Sequence, residues 1–141
     1  MRLVNIMKVK KVETICVDSN VVLRFLLSGD SVLSDSAKKI FKDAEDGKIK
    51  IYLDEVILAE VIWVLLSFYK MAKVEVCGRM AKLVVCRWIV NPRKELIVNA
   101  LAIWSKTKLS YIDCWLFTFC RDSGFRMRTF DLALMRVVGE K

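Results

Sequence analysis

Four carboxylates carry the chemical interest of this chain. Asp18 follows the apolar run Ile15-Cys16-Val17, and Asp131 follows the segment from Phe125 to Phe130, so each is expected to end a strand. Glu60 has Val56, Ile57, Trp63 and Val64 as its neighbours at helical spacing, and Asp113 has Leu116 and Phe117. Both therefore belong to apolar helix faces that should be buried. A buried carboxylate must be paired, protonated or bound to a cation. In a parallel sheet, strand ends and the helix starts that follow them lie along one edge. Four acids converging there form an oxygen-only ligand set suited to Mg²⁺ or Mn²⁺. Such ions activate water and stabilise charge on a phosphodiester undergoing displacement. The spacing does not distinguish one ion from two. The chain has no histidine, which removes histidine zinc sites, Ser-His-Asp triads and histidine general bases together.

Each acid also has a simpler reading. Asp18 suits a cap for the helix beginning near Val21, with Ser19 able to cap or orient and Asn20 able to bond a carboxylate or a phosphate. Glu60 suits a salt bridge to an arginine such as Arg24. Asp113, three residues after Ser110, resembles the acidic member of a capping box. Asp131 suits an ordinary turn.

The elements that must position these residues alternate between strand and helix. A short helix is expected over Val21–Leu27, and a second over Ser34–Asp46 with Ala37, Ile40, Phe41 and Ala44 as its stripe. The alternation of Ile49, Ile51 and Leu53 predicts a strand. Asp54 or Glu55 then opens a long helix to about Ser67, where negative charge favours the helix start. Further helices are expected over Val74–Val85, from Asn91-Pro92 to Trp104, and from the N-cap Ser110 to Arg121. A short strand or link is expected at Trp88–Val90 and a strand over Phe125–Phe130. The last ten residues leave room for a short helix and a strand. The whole reads as one α/β domain over residues 1–141, with a mainly parallel sheet. Residues 1–11 form a basic first strand or a loose tail, and Met7 is an alternative start.

The chain has 141 residues, 55% of them hydrophobic, with a mean hydropathy of +0.38, which supplies a core and leaves apolar surface for a partner. No membrane span is expected, because the apolar stretch from Val56 to Tyr69 is short and broken by Glu60. Five unpaired-looking cysteines point to a reducing compartment, hence the cytoplasm. The four tryptophans read mainly as packing, with Trp88 the one expected to be partly exposed. Lysine and arginine exceed the acids by eight, so a polyanion is attracted while an acidic pocket repels it unless a cation intervenes. Lys70, Lys73, Arg79 and Lys82, or the loop carrying Lys106 and Lys108, are candidates to grip a phosphate backbone in a salt-dependent way; a solvated helix face is the plainer reading of the first group. No phosphate-binding glycine motif occurs.

In sequence order, Val17-Asp18-Ser19-Asn20, Leu58-Ala59-Glu60-Val61, Tyr111-Ile112-Asp113 and Thr129-Phe130-Asp131 resemble the motifs of PIN-domain proteins, most closely the toxin component of a type II toxin–antitoxin pair. The resemblance runs from about Ile15 to Asp131. It implies a three-layer α/β/α sandwich and a metal-dependent endoribonuclease. Asp18, Glu60, Asp113 and Asp131 would form its Mg²⁺ or Mn²⁺ cluster, with Ser19, Asn20 and Thr129 supporting. It also implies a small inhibitory antitoxin and a homodimer. The chain departs from the family pattern where Ser110 replaces a further acid, where Cys114-Trp115 follows Asp113, and after Asp131. A non-catalytic RNA- or protein-binding module and a DNA- or structure-specific nuclease are the alternatives.

Overall fold

The computed structural model describes residues 11–27, 29 and 31–139. Apart from Lys11, the expected N-terminal strand or tail lies outside them. Strand β1 (Glu13–Cys16) leads into helices α1 (Ser19–Leu27) and α2 (Val32–Glu45), then strand β2 (Ile49–Tyr52). Helices α3 (Glu55–Ser67) and α4 (Lys73–Val84) precede the two-residue strand β3 (Ile89–Val90). Helices α5 (Lys94–Lys106), α6 (Tyr111–Ser123) and α7 (Leu132–Val138) complete the chain.

Among the described residues the sheet has three strands in the order β1-β2-β3, and both pairings are parallel. Parallel neighbours cannot be joined by tight turns, so helices make the crossovers. The core is built from Val22 of α1, Ile51 of β2, Leu58 and Leu65 of α3, Met80 of α4, Ile89 of β3 and Ile97 of α5. The result is the expected α/β fold with a mainly parallel sheet.

The helix starts follow local capping chemistry. Ser31, Asp54, Ser110 and Asp131 each accept a hydrogen bond from a backbone N–H of the helix they open, satisfying donors that the first turn leaves free. Helix α6 stops at Gly124, whose left-handed conformation at φ 71° suits glycine. Helix α5 starts later than expected, with Pro92 in the turn before it.

The structure corrects several expectations. Residues 125–129 are irregular. Their alternation matches a half-buried strand, but only Met127 is buried, and Phe130 at the end is fully exposed. Alternation supplies a face to bury; a ladder also needs an edge to pair with, and among the described residues this segment joins no strand. Glu60 is exposed rather than buried. Helix α3 buries Leu58, Val61, Ile62 and Leu65, leaving Val56 at 73% and Trp63 at 66% exposure on the same stripe as Glu60. The helix is apolar almost all round, so periodicity alone does not choose which stripe faces the core. Trp88 is partly exposed as expected, but Trp63 is the more exposed tryptophan, and Cys16 is an exposed thiol while Cys77 and Cys114 are buried.

Candidate active site at the carboxyl edge of the sheet

The register of the sheet brings two acids together. Cys16 pairs with Tyr52 across β1 and β2. Asp18 and Asp54 each lie two residues beyond that pair, so neighbouring parallel strands lead to carboxylates just past their ends. Both line a cleft of about 560 Å³ with Tyr52, Val21, Ile40 and Ile57. The next strand ends in Asn91, whose side-chain amide donates to the Leu53 carbonyl at 2.8 Å and ties the strand ends together. Open α/β sheets collect their ligands at this edge. Burial, and then the charges of Asp54 and Glu55, raise the Tyr52 phenol above its ordinary pKa, so it stays protonated beside the acids.

Asp18 is exposed, and its Oδ1 accepts the Val21 N–H at 3.0 Å. The capping role and a place in the cleft thus coexist. Asp18 also borders a smaller hollow of about 190 Å³ shared with Asn20, Arg24 and Ser36. Ser19 is the first residue of α1. Asp113 is half-buried in the first turn of α6, and its N–H donates to Ser110 Oγ at 3.1 Å. Asp131 caps α7 by accepting the Leu134 N–H at 2.9 Å, and its own N–H is held by Thr129 Oγ1 at 3.0 Å. Glu60 stands on the open stripe of α3, and no salt bridge to Arg24 holds it. Arg24 instead donates to Ser31 Oγ at 3.4 Å.

The cations divide into two groups. Lys73 donates to the Thr107 carbonyl and lies 5.4 Å from the Trp104 ring, pinning the loop before α6. Arg79 donates to the Leu26 carbonyl at 2.7 Å and pairs with Glu75 at 3.0 Å. Lys70, Lys82, Lys106 and Lys108 are exposed.

Sequence reasoning passed over Asp54 as a helix start. Its signal was that role itself: an acid directly after an alternating strand. The donor chemistry of the acids is the hard oxygen type that Mg²⁺ and Mn²⁺ prefer. Yet among the described residues no three histidine, cysteine, aspartate or glutamate side chains stand close enough to hold a metal ion. The expected quartet is therefore not gathered into a ligand set in this arrangement. Among the described residues no helix is long and apolar enough to cross a membrane.

No curated protein and no solved structure matches the chain. The family profile for the PIN domain matches residues 15–140, which runs from within β1 past the end of α7 and takes in all four acids. The chain belongs to the PIN domain family.

Proposed function

We propose that this chain is an endoribonuclease that hydrolyses RNA phosphodiester bonds, with Asp18 at the centre of its site. The observation that carries the reading is the pair of in-register strand ends: β1 and β2 deliver Asp18 and Asp54 to one open cleft at the carboxyl edge of the sheet. Family membership supports nuclease chemistry at that edge. Asp18, Glu60, Asp113 and Asp131 are the acids assigned to the reaction. Ser19, Asn20 and Thr129 orient them, and Thr129 already holds the backbone of Asp131.

Dependence on Mg²⁺ or Mn²⁺ belongs to the proposal through the donor chemistry alone. Among the described residues no three such side chains form a ready coordination shell. What the chain itself supplies is a carboxylate fixed by a backbone N–H at the mouth of the cleft, a protonated phenol beside it, and cations for the phosphate backbone. Lys70, Lys82, Lys106 and Lys108 are exposed cations suited to that task. Lys73 and Arg79 also hold the fold and contribute positive potential from where they are tied.

The same reading makes the chain the toxin of a toxin–antitoxin pair, held by a small antitoxin and acting in the cytoplasm as a homodimer. Exposed apolar side chains support a covering partner: Val56 and Trp63 on α3, Phe68 after it and Val74 on α4. The alternative is a non-catalytic RNA- or protein-binding module. The discriminating experiment pairs an RNA with a DNA of identical sequence, each incubated with wild type and Asp18→Asn. Cleavage confined to RNA and lost in the variant supports the ribonuclease. Equal cleavage of DNA redirects the assignment to a general nuclease, and RNA binding without cleavage of any substrate supports the module.

A further inference from the structure

Between Gly124, which ends α6, and Asp131, which caps α7, runs the segment Phe125-Arg126-Met127-Arg128-Thr129-Phe130. Phe125 is 60% exposed and Phe130 fully exposed, while Met127 between them is buried in the core. Arg126 and Arg128 are exposed as well. Among the described residues neither has an ion pair or a hydrogen bond, whereas Arg24, Arg79, Arg93 and Arg121 are each bonded. Large apolar side chains gain by burial, and clustered exposed ones mark contact surfaces. Two rings left in water beside two unpaired guanidiniums present flat apolar faces interleaved with positive charge.

The segment is held in place although it pairs with no strand among the described residues. Its first N–H, that of Phe125, donates to the Cys120 carbonyl at 2.8 Å. Met127 anchors its middle, and Thr129 Oγ1 accepts the Asp131 N–H at 3.0 Å near its end. The Phe125 ring lies 5.9 Å from the Phe119 ring, edge to face. At the start of the segment is an open hollow of about 370 Å³, lined by Phe117, Arg121, Phe125 and Arg126 among others. The Arg121 guanidinium lies 5.6 Å from the Phe117 ring. Arg121, Phe125 and Arg126 are all exposed, so an occupant can reach them.

We propose that this surface binds single-stranded RNA, with bases stacked on Phe125 and Phe130 and phosphates held by Arg121, Arg126 and Arg128, and that it leads the strand to Asp131. Single strands are bound by a positive track with aromatic platforms, because every unpaired base offers a face to stack. Charge favours a polyanion as the occupant. The segment carries two cations and no acid. A second copy laid along it would bring like charges together, and an apolar peptide would cover the rings while leaving both guanidiniums unpaired. The arginines also offset the repulsion of a phosphate backbone by the acids, since Arg128 stands three residues before Asp131. The proposal rests on the ribonuclease reading for the supply of RNA, and its test reads binding apart from cleavage.

The anisotropy of a short fluorescent single-stranded RNA, and of its duplex, is followed with the full chain in chelator over a series of salt concentrations. Four variants accompany wild type: Phe125→Leu, Phe130→Leu, the pair Arg126→Gln with Arg128→Gln, and the pair Lys38→Gln with Lys50→Gln. Lys38 and Lys50 are exposed on α2 and β2, so the last pair removes the same charge elsewhere. Phe130 is fully exposed, so its replacement leaves the core intact. The arginine pair should lower affinity about tenfold or more at low salt and flatten the log–log salt slope by about 1.4. Each phenylalanine variant should lower single-strand affinity about tenfold, with the salt slope and duplex binding unchanged. The lysine pair should change affinity by less than about twofold. If the lysine pair costs as much as the arginine pair, the attraction is diffuse and the proposal is overturned. Unchanged single-strand binding by both phenylalanine variants overturns it as well. So does a wild type that binds no RNA, and a dimer broken by those variants in sedimentation would then give the surface to a second copy. The expected binding profile in a protein that cleaves nothing with Mg²⁺ or Mn²⁺ leaves the surface standing and removes the ribonuclease. Metal-dependent cleavage of RNA by wild type, with binding unchanged in every variant, does the reverse.

Discussion

The carboxyl edge of the sheet and the hollow between α3 and α6 treat their polar atoms in opposite ways. At the edge, Asp18 and Asp54 each accept a backbone N–H from the helix that follows, and Asn91 bonds the Leu53 carbonyl. These groups do structural work before any ligand arrives. Around the hollow between α3 and α6, which Glu55, Tyr111 and Trp115 border, an atom of each is buried without a partner among the described residues. Helix α3 joins the two regions, since Asp54 caps it and Glu55 begins it. The lesson concerns how a site is held. Groups satisfied by backbone are fixed wherever the fold exists, whereas buried unsatisfied ones cost stability.

The largest effect that sharpens this comparison concerns the two stripes of α3. Leu58 is fully buried, and Leu58→Ala should destabilise the protein by about 2–5 kcal/mol through lost burial and a cavity. Trp63 is two-thirds exposed, and Trp63→Ala should change stability by less than about 0.5 kcal/mol. Denaturant melts of both variants give the answer, and equal losses would mean that the open stripe is buried in solution by a partner or a second copy.

Polar deletions give smaller effects of opposite sign. Asp54→Ala removes a cap and should cost about 1 kcal/mol. Tyr111→Phe removes a buried hydroxyl with no partner and should be neutral or stabilising by up to about 1 kcal/mol. Thermal melts of the isolated protein would break the comparison if Tyr111→Phe proved the costlier change, since that would mean the hydroxyl is already satisfied.

Much of the fold was legible because its signals are local. Ser110 and Asp54 sit directly before apolar helices, and both are N-caps. Ile49, Ile51 and Leu53 alternate, and the first two lie in β2. The acid at Asp18 was legible for the same reason, as the end of a short apolar run. What stayed hidden depends on tertiary partners. Asp54 becomes a neighbour of Asp18 only through the Cys16–Tyr52 register, which no spacing within either strand encodes. Glu60 was misplaced because a helix apolar on several sides does not declare its core stripe. The segment at 125–129 carries strand alternation, but its sequence names no edge to pair with. Glu55 lies 56 and 60 positions before Tyr111 and Trp115, one turn apart on α6, and meets them only when α6 packs on α3.

The most direct test of the central claim is cleavage of a mixed RNA set by wild type and Asp18→Asn, first with Mg²⁺ or Mn²⁺ and then with chelator. Asp18→Asn preserves size, so a folded variant is expected. The account predicts that wild type cuts RNA, that chelator stops it, and that the variant loses cutting by about a hundredfold or more, the scale expected when a group central to the chemical step is removed. Unchanged cleavage by Asp18→Asn would contradict it and move the site away from the end of β1.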